Sequence, residues 1–222
     1  MAGEAGVGKT RLMDELSAST GALVLRGAAR LDTTPAYGPV AGALRGYLRA
    51  VPDGLDDCGP LGDQLRLLLP ELGSPPQAAD RAGLNEAVRC AFAELSEGRG
   101  ALIVLDDLQW SDAATLEMLA ALGASLRELP LLLVGAYRSD ELPRDHPLRR
   151  MRNELRRAGA LAEVAVESLD ADGTAALIER TLDGPPSAAL VRAIYDRSQG
   201  LPFFVEELAA ALSAEGLSLT HV

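Results

Sequence analysis

Short apolar runs alternate with segments of helical periodicity along the first three quarters of the chain. Continuous apolar runs of four to eight residues are typical of parallel strands buried on both faces. Three segments contain such a run, "ALVLRG" (22–27), "ALIVLDD" (101–107) and "LPLLLVGAYR" (129–138), and "LAEVAVESL" (161–169) is predicted to be the last strand. Helical spacing occurs between them, at 9–18, from about residue 40, at 61–72, at 85–95 and at 111–129. This alternation predicts an α/β fold with a parallel sheet and right-handed crossovers.

The last quarter of the chain shows helical spacing only. Three helices are predicted, with Gly200 as a stop signal before the last one and Pro202 in its first turn. We therefore divide the chain into an α/β core, residues 1–168, and a helical region, residues 169–222.

The 222 residues carry a formal net charge of −11. This charge argues against direct contact with nucleic acid, because phosphate binding requires clustered lysine and arginine. One basic run occurs, but its arginines alternate with apolar residues, which favours a solvated helix face over a binding patch. Its members are Arg149, Arg150, Arg152, Arg156 and Arg157. No nucleic-acid partner is therefore expected for this chain.

Cysteine spacing and hydropathy bear on location. Cys58 and Cys90 lie far apart, so neither a zinc site nor a disulfide framework is indicated. The longest apolar runs are far shorter than the ~20 residues of a membrane helix, and no signal-peptide pattern is found. We expect a cytoplasmic protein without membrane contact.

The candidate chemistry begins at the third residue. "GEAGVGKT", from Gly3 to Thr10, matches G-x-x-x-x-G-K-[ST] at every fixed position, and a chance match is expected in roughly one such chain per thousand. Lys9 is the only lysine of the chain. In such a loop backbone amides surround a phosphate, the lysine contacts outer phosphate oxygens, and the threonine hydroxyl is a ligand for Mg²⁺. The expected nucleotide-binding residues are Gly3, Glu4, Ala5, Gly6, Val7, Gly8, Lys9, Thr10 and Arg11.

Two carboxylates follow the most apolar predicted strand. Asp106 stands at the carboxyl end of "ALIVLD", where ligands bind in open parallel sheets, and we expect it to hold Mg²⁺ through water. Asp107 is expected to orient or deprotonate the attacking water. Paired aspartates can also merely cap a turn after a strand, but the phosphate loop upstream favours the metal and catalytic roles.

Arg138 closes another predicted strand and could reach the γ-phosphate and sense hydrolysis. An arginine in this position is by itself more often a surface ion-pair partner; the two upstream motifs favour the sensing role. Trp110 is expected to pack under the strand end rather than stack on a base.

The motifs together resemble a known family. The segments "GEAGVGKTRL", "PAYGPVAGALR", "LIVLDDLQWSDAATLEML", "PLLLVGAYRSDEL", "HPLRRM" and "GLPFFVEEL" occur in this order. They resemble the AAA-like, STAND-type ATPase domains of signal-transduction NTPases, above all the ATPase module of large LuxR-family transcriptional regulators. Similar modules are attached to nucleotide cyclases and protein kinases. The resemblance spans almost the whole chain.

This resemblance implies a P-loop NTPase fold with a five-stranded parallel sheet, flanking helices and a C-terminal helical lid. It implies ATP and Mg²⁺ as ligands, slow hydrolysis, and a switch between ATP-bound and ADP-bound states. Asp107 and Arg138 would be the catalytic residues, Thr10 and Asp106 the metal ligands, and Pro202 would lie near the adenine. Partner domains in a longer parent chain, helical repeats and a helix-turn-helix output domain, are expected by resemblance. The preference for adenine over guanine is also implied by resemblance only.

The sequence departs from the family pattern at two side chains and at its start. Gln109 stands where histidine is usual, and Leu201 where asparagine usually precedes the lid proline. Only two residues precede the phosphate loop, so the strand that normally enters it is expected to be missing. In related domains that strand lies between the sensing strand and the last strand, and its loss would leave unpaired backbone groups. We therefore expect the core to be N-terminally truncated and the chain to be a fragment.

Two functions are consistent with the motifs. The first is an ATP-binding and hydrolysing switch module of a larger signal-transduction or transcription-regulatory protein. The second is a non-catalytic interaction module, or an inactive fragment of such an ATPase.

Overall fold

The computed structural model describes residues 1–31, 35–55, 58–77, 80–182 and 184–214. Its strands are β1 (Ala2–Gly3), β2 (Leu23–Ala28), β3 (Ala101–Asp106), β4 (Leu131–Gly135) and β5 (Tyr137–Arg138). Its α-helices are α1 (Lys9–Ser19), α2 (Gly38–Leu48), α3 (Gly59–Leu65), α4 (Arg81–Ser96), α5 (Ala113–Leu122), α6 (Pro147–Arg157), α7 (Ala171–Leu182), α8 (Ala188–Ser198) and α9 (Pro202–Ala214). The predicted α/β fold, parallel strands flanked by helices, is confirmed.

Strands β2, β3 and β4 form a parallel sheet in the order β2-β3-β4. The central strand β3 is buried along its apolar length because helices cover both faces. Its alternate side chains Ile103 and Leu105 join the large core formed with α2, α4, α5 and α6. Leu102 and Val104 point to the other face, where they pack with Met13 of α1. The two-residue side-chain period of a strand thus accounts for both layers.

The strand predicted at 129–138 is interrupted at Ala136. Its N–H donates to the carbonyl of Leu105, and its carbonyl accepts from the N–H of Leu108. The first half, β4, pairs with β3, whereas the second half, β5, pairs with β1. The sheet is therefore divided, which corrects the single five-stranded sheet implied by the resemblance.

The first strand is present as two residues rather than missing. Ala2 and Gly3 pair in parallel with Tyr137 and Arg138. On its other side Ala2 forms a bridge with Ala165, donating to the carbonyl of Val164 at 2.8 Å. The described residues therefore correct the expected absence of this strand and place it between β5 and the 161–169 segment, the position that the resemblance implies.

The segment 161–169 is not a regular strand, contrary to prediction. Its only ladder partner in the described structure is the bridge of Ala165 to Ala2. A ladder can extend only as far as its neighbour, and β1 has two residues. Glu163 fixes the segment to α6 through ion pairs with Arg152 and Arg156.

Two helix predictions also needed correction. The helix predicted at 61–72 is divided into α3 and a 3-10 turn at Pro70–Leu72. The helix predicted at 111–129 ends at Leu122, with Asp112 as its N-cap, and a 3-10 turn follows at Ser125–Glu128.

Helices α7, α8 and α9 share a hydrophobic cluster of their own, formed by Ile178, Ile194, Val205 and Ala209. Gly200 lies just after the second of these helices, which ends at Ser198, and a Cβ there would lie 1.9 Å from the carbonyl oxygen of Leu169, so only glycine fits. Pro202 begins α9, as predicted. The boundary between 168 and 169 stays a prediction, and residues 215–222 lie outside the described part.

Among the described residues, no helix combines the length and the apolar character that a membrane span requires.

Candidate functional site

The loop between β1 and α1 has the backbone of a glycine-dependent turn. Gly6 and Gly8 have φ of 77° and 98°, which side-chain-bearing residues rarely adopt. A Cβ on Gly3 would lie 2.7 Å from the carbonyl oxygen of Val166 and 2.8 Å from Val7. All three fixed glycines of the motif are thus required by conformation or by close approach.

The Lys9 side chain lies under this loop. Only 7% of the residue is exposed, and its ammonium donates to the carbonyls of Gly3 and Glu4 at 2.9 and 2.8 Å. Burial lowers the pKa of Lys9, and the nearby Arg138 lowers it further, while the Asp106 charge acts in the opposite direction. Two carbonyls therefore hold a poorly hydrated cation at the loop.

Thr10 and Asp106 bring the loop and β3 together. The Thr10 hydroxyl donates to Oδ2 of Asp106 at 3.0 Å, across 96 positions of sequence. The other carboxylate oxygen accepts from the N–H of Asp107 at 2.8 Å. A hydroxyl beside a carboxylate is a donor set of the kind that Mg²⁺ accepts when phosphate and water supply the rest. In the described structure no cluster of three or more His, Cys, Asp or Glu could hold a metal.

Asp107 begins the turn after β3 in a left-handed conformation, with φ of 54°. Non-glycine residues seldom occupy this region, and such strain occurs preferentially at functional sites. Its Oδ1 accepts a hydrogen bond of 3.0 Å from the Gln109 side-chain amide. The same oxygen lies 3.5 Å from Nε of Arg138.

Arg138, at the end of β5, faces the aspartates. It donates to Glu141 at 2.6 Å, and its guanidinium carbon lies 4.8 Å from the centroid of the Trp110 ring. The hydrogen bond to Glu141 raises the pKa of Arg138, so the guanidinium stays charged. Trp110 therefore forms a cation–π contact with Arg138, and its expected packing role stays a prediction.

The helical region contacts the loop at its first turn. The N–H of Phe203 donates to the carbonyl of Gly6 at 3.2 Å. A Cβ on Gly6 would lie 3.0 Å from Cβ of Phe203, and one on Gly8 would lie 4.0 Å from Cγ of Pro202. Pro202 thus lies beside the loop, and its expected position near the adenine stays a prediction.

The remaining predicted residues are more peripheral. Glu4 and Ala5 are exposed on the loop, and Val7 is buried beneath it. Arg11 points to solvent and forms an ion pair with Glu15 one turn along α1. The structure therefore brings together the predicted catalytic and metal-binding side chains, and it leaves Arg11 outside that group.

Two residues of this site were missed by the sequence reasoning. Gln109 was noted only as a departure from the family pattern, and Phe203 only as part of "GLPFF". The proximity of Phe203 to Pro202 was a usable signal. Nothing in the sequence showed that the Gln109 amide turns inward.

Comparison with known proteins shows the family of the chain. A sequence model of the AAA ATPase domain family matches residues 1–134, more than half of the chain. The chain belongs to the AAA ATPase domain family. No curated protein matches the chain significantly.

Among solved structures, a RuvB mutant of Thermotoga maritima is similar at 17% identity with a TM-score of 0.39. The match covers 94% of the present chain and 61% of the RuvB chain, so the present chain spans about three fifths of the length of that protein. Membership in a family of ATPase domains supports a nucleotide-hydrolysing module. Assignment to the STAND type or the LuxR type is more specific than this family match and stays a prediction.

Proposed function

We propose that this chain is an ATP-binding and hydrolysing switch module. The observation that carries the proposal is the buried Lys9 ammonium under a glycine loop, next to the Thr10–Asp106 hydrogen bond. A lysine is seldom buried away from a carboxylate partner, because desolvation of its charge is unfavourable. Triphosphate oxygens at the loop would replace the two carbonyls as its partners.

The proposed roles follow from position. The loop amides and Lys9 bind the phosphates, and Thr10 and Asp106 hold Mg²⁺. Mg²⁺ held by these two side chains would supply positive charge to the phosphate oxygens. Asp107 accepts a hydrogen bond from the attacking water and orients it for in-line attack. Arg138 stabilises the negative charge that develops on the transferred phosphoryl group.

Coupling to the rest of a larger protein is proposed through the helical region. The Phe203–Gly6 hydrogen bond and the position of Pro202 beside Gly8 support it, because any movement of the loop must be accommodated by α9. By resemblance, the parent is a signal-transduction or transcription-regulatory protein with helical-repeat and helix-turn-helix domains. The cytoplasmic location also stays a prediction.

Phosphate release from Mg-ATP tests the proposal. The wild-type chain should turn over slowly but continuously, and Asp107→Asn should reduce turnover to a low residual rate while still binding ATP. Replacement of Glu167, an exposed carboxylate outside the site, by Gln is the matched control. ATP binding without turnover by the wild type would contradict the hydrolytic role and favour the non-catalytic module.

A further inference from the structure

The side-chain amide of Gln109 lies between the proposed catalytic aspartate and the proposed sensing strand. Its oxygen accepts from the backbone N–H of Arg138 at 3.1 Å, and its nitrogen donates to Oδ1 of Asp107 at 3.0 Å. We propose that Gln109 is a positioning residue that fixes the Asp107 carboxylate and links it to β5. This inference rests on the proposed function and adds a residue to its catalytic apparatus.

The orientation of the Gln109 amide follows from the chemistry of its neighbours. A backbone N–H can only donate, so it must face the amide oxygen. An ionised carboxylate can only accept, so it must face the amide nitrogen. A side chain that offers one acceptor and one donor on a planar group satisfies both at once, which explains glutamine at this position.

The turn that carries Gln109 is anchored on both sides. Gln109 is 5% exposed and lies in the 3-10 turn Leu108–Trp110. The N–H of Leu108 donates to Ala136 at 2.9 Å, and the Gln109 carbonyl lies 2.9 Å from Nε2 of His146. Because the side chain is also buried and its amide is hydrogen-bonded at both its oxygen and its nitrogen, it has little freedom to leave Asp107.

Gln109 also closes a ring of contacts. Asp107 contacts the Gln109 amide, the amide contacts the backbone of Arg138, and the Arg138 guanidinium returns to Asp107 at 3.5 Å. A shift of β5 therefore moves both partners of the carboxylate together. The strained backbone of Asp107 alone would not fix its side chain, because φ and ψ leave the side-chain torsions free.

The test compares turnover and ATP affinity in Gln109 variants. Gln109→Met keeps the length of the side chain and removes both hydrogen bonds, so kcat should fall about 10- to 100-fold with little change in ATP affinity. Gln109→Glu keeps the acceptor for Arg138 and loses the donor, and a similar fall is expected. Gln109→His should retain most of the wild-type rate, since a neutral imidazole accepts at one nitrogen and donates at the other. Gln77→Met, at an exposed position, is the control.

A double-mutant cycle separates positioning from a general structural role. In an Asp107→Asn background, Gln109→Met should cause no further loss of the residual rate, because its effect passes through the carboxylate. Thermal unfolding of each variant sets an assay temperature at which all are folded. An equal loss in both backgrounds, or wild-type turnover of Gln109→Met, would overturn the role of Gln109 alone. A wild-type chain that hydrolyses no ATP would overturn the proposed function and this role with it.

Discussion

The Thr10 hydroxyl lies 3.0 Å from Oδ2 of Asp106, so the first turn of α1 and the carboxyl end of β3 meet at a single hydrogen bond. Both groups are the expected ligands of one Mg²⁺ ion. Their adjacency supports a shared metal site more strongly than either motif does alone.

Replacement of Thr10 tests this shared site. Thr10→Val keeps the shape and removes the hydroxyl, so the Mg²⁺ concentration for half-maximal hydrolysis should rise about tenfold or more. Thr10→Ser retains the hydroxyl and should resemble the wild type. Identical Mg²⁺ titrations for the valine and wild-type proteins would exclude Thr10 as a ligand.

Arg138 should act on turnover rather than on binding. Its guanidinium is charged and lies beside Asp107, so Arg138→Ala should lower kcat about 100-fold while ATP affinity changes little. Arg138→Lys keeps the charge without the planar fork and should give an intermediate rate. Steady-state kinetics with a separate ATP-binding measurement distinguish the two effects. An unchanged kcat in the alanine variant would contradict the catalytic role of Arg138 and favour a surface ion-pair role.

The loop conformation predicts a contrast between two glycines. Gly6→Ala forces a Cβ into a left-handed residue and against Phe203, so it should destabilise the fold by about 1 to 2 kcal/mol and weaken ATP binding. Gly46→Ala, in open space on α2, should instead stabilise the fold by about 0.5 to 1 kcal/mol. Denaturant unfolding of both variants measures the difference. Equal stabilities of the two variants would mean that Gly6 does not adopt this left-handed conformation in solution.

Glu163 provides a pH-dependent test of the fold around β1. Hydrogen bonds from Arg156 and Arg152 lower its pKa below the usual 4.5, so its contribution to stability is present above that value and is lost as the pH falls through the lowered pKa. Because the carboxylate is partly exposed, Glu163→Gln should destabilise by only about 1 kcal/mol at pH 7. The difference from wild type should shrink below pH 4.5. Glu167→Gln should show no such dependence, and a pH-independent deficit in Glu163→Gln would refute the ion-pair explanation.

Much of this arrangement was readable from the sequence because it depends on local chemistry. The apolar run before Asp106 predicted a buried strand and placed Asp106 and Asp107 at its carboxyl end. Gly8 followed by Lys9 and Thr10 determined the turn into α1. Pro202 after Gly200 determined the start of α9.

Other features depended on pairing between distant segments. The run 161–169 has strand character, but its neighbour β1 pairs only through Ala2. The break at Ala136 arises because its backbone bonds with both Leu105 and Leu108. The role of Gln109 required the three-dimensional meeting of a 3-10 turn with β5, which no spacing in the sequence indicates.

The most direct test of the account is the effect of Mg-ATP on thermal unfolding in wild type, Lys9→Met and Arg192→Met. Lys9→Met removes the ammonium that donates to the carbonyls of Gly3 and Glu4, so the ATP-induced shift of each variant is measured from its own ligand-free Tm. ATP at about 100 times its Kd should stabilise the wild type and the exposed-arginine control by about 2.7 kcal/mol. Lys9→Met should show no shift. A wild type indifferent to ATP, or an equal shift in Lys9→Met, would contradict nucleotide binding at this loop.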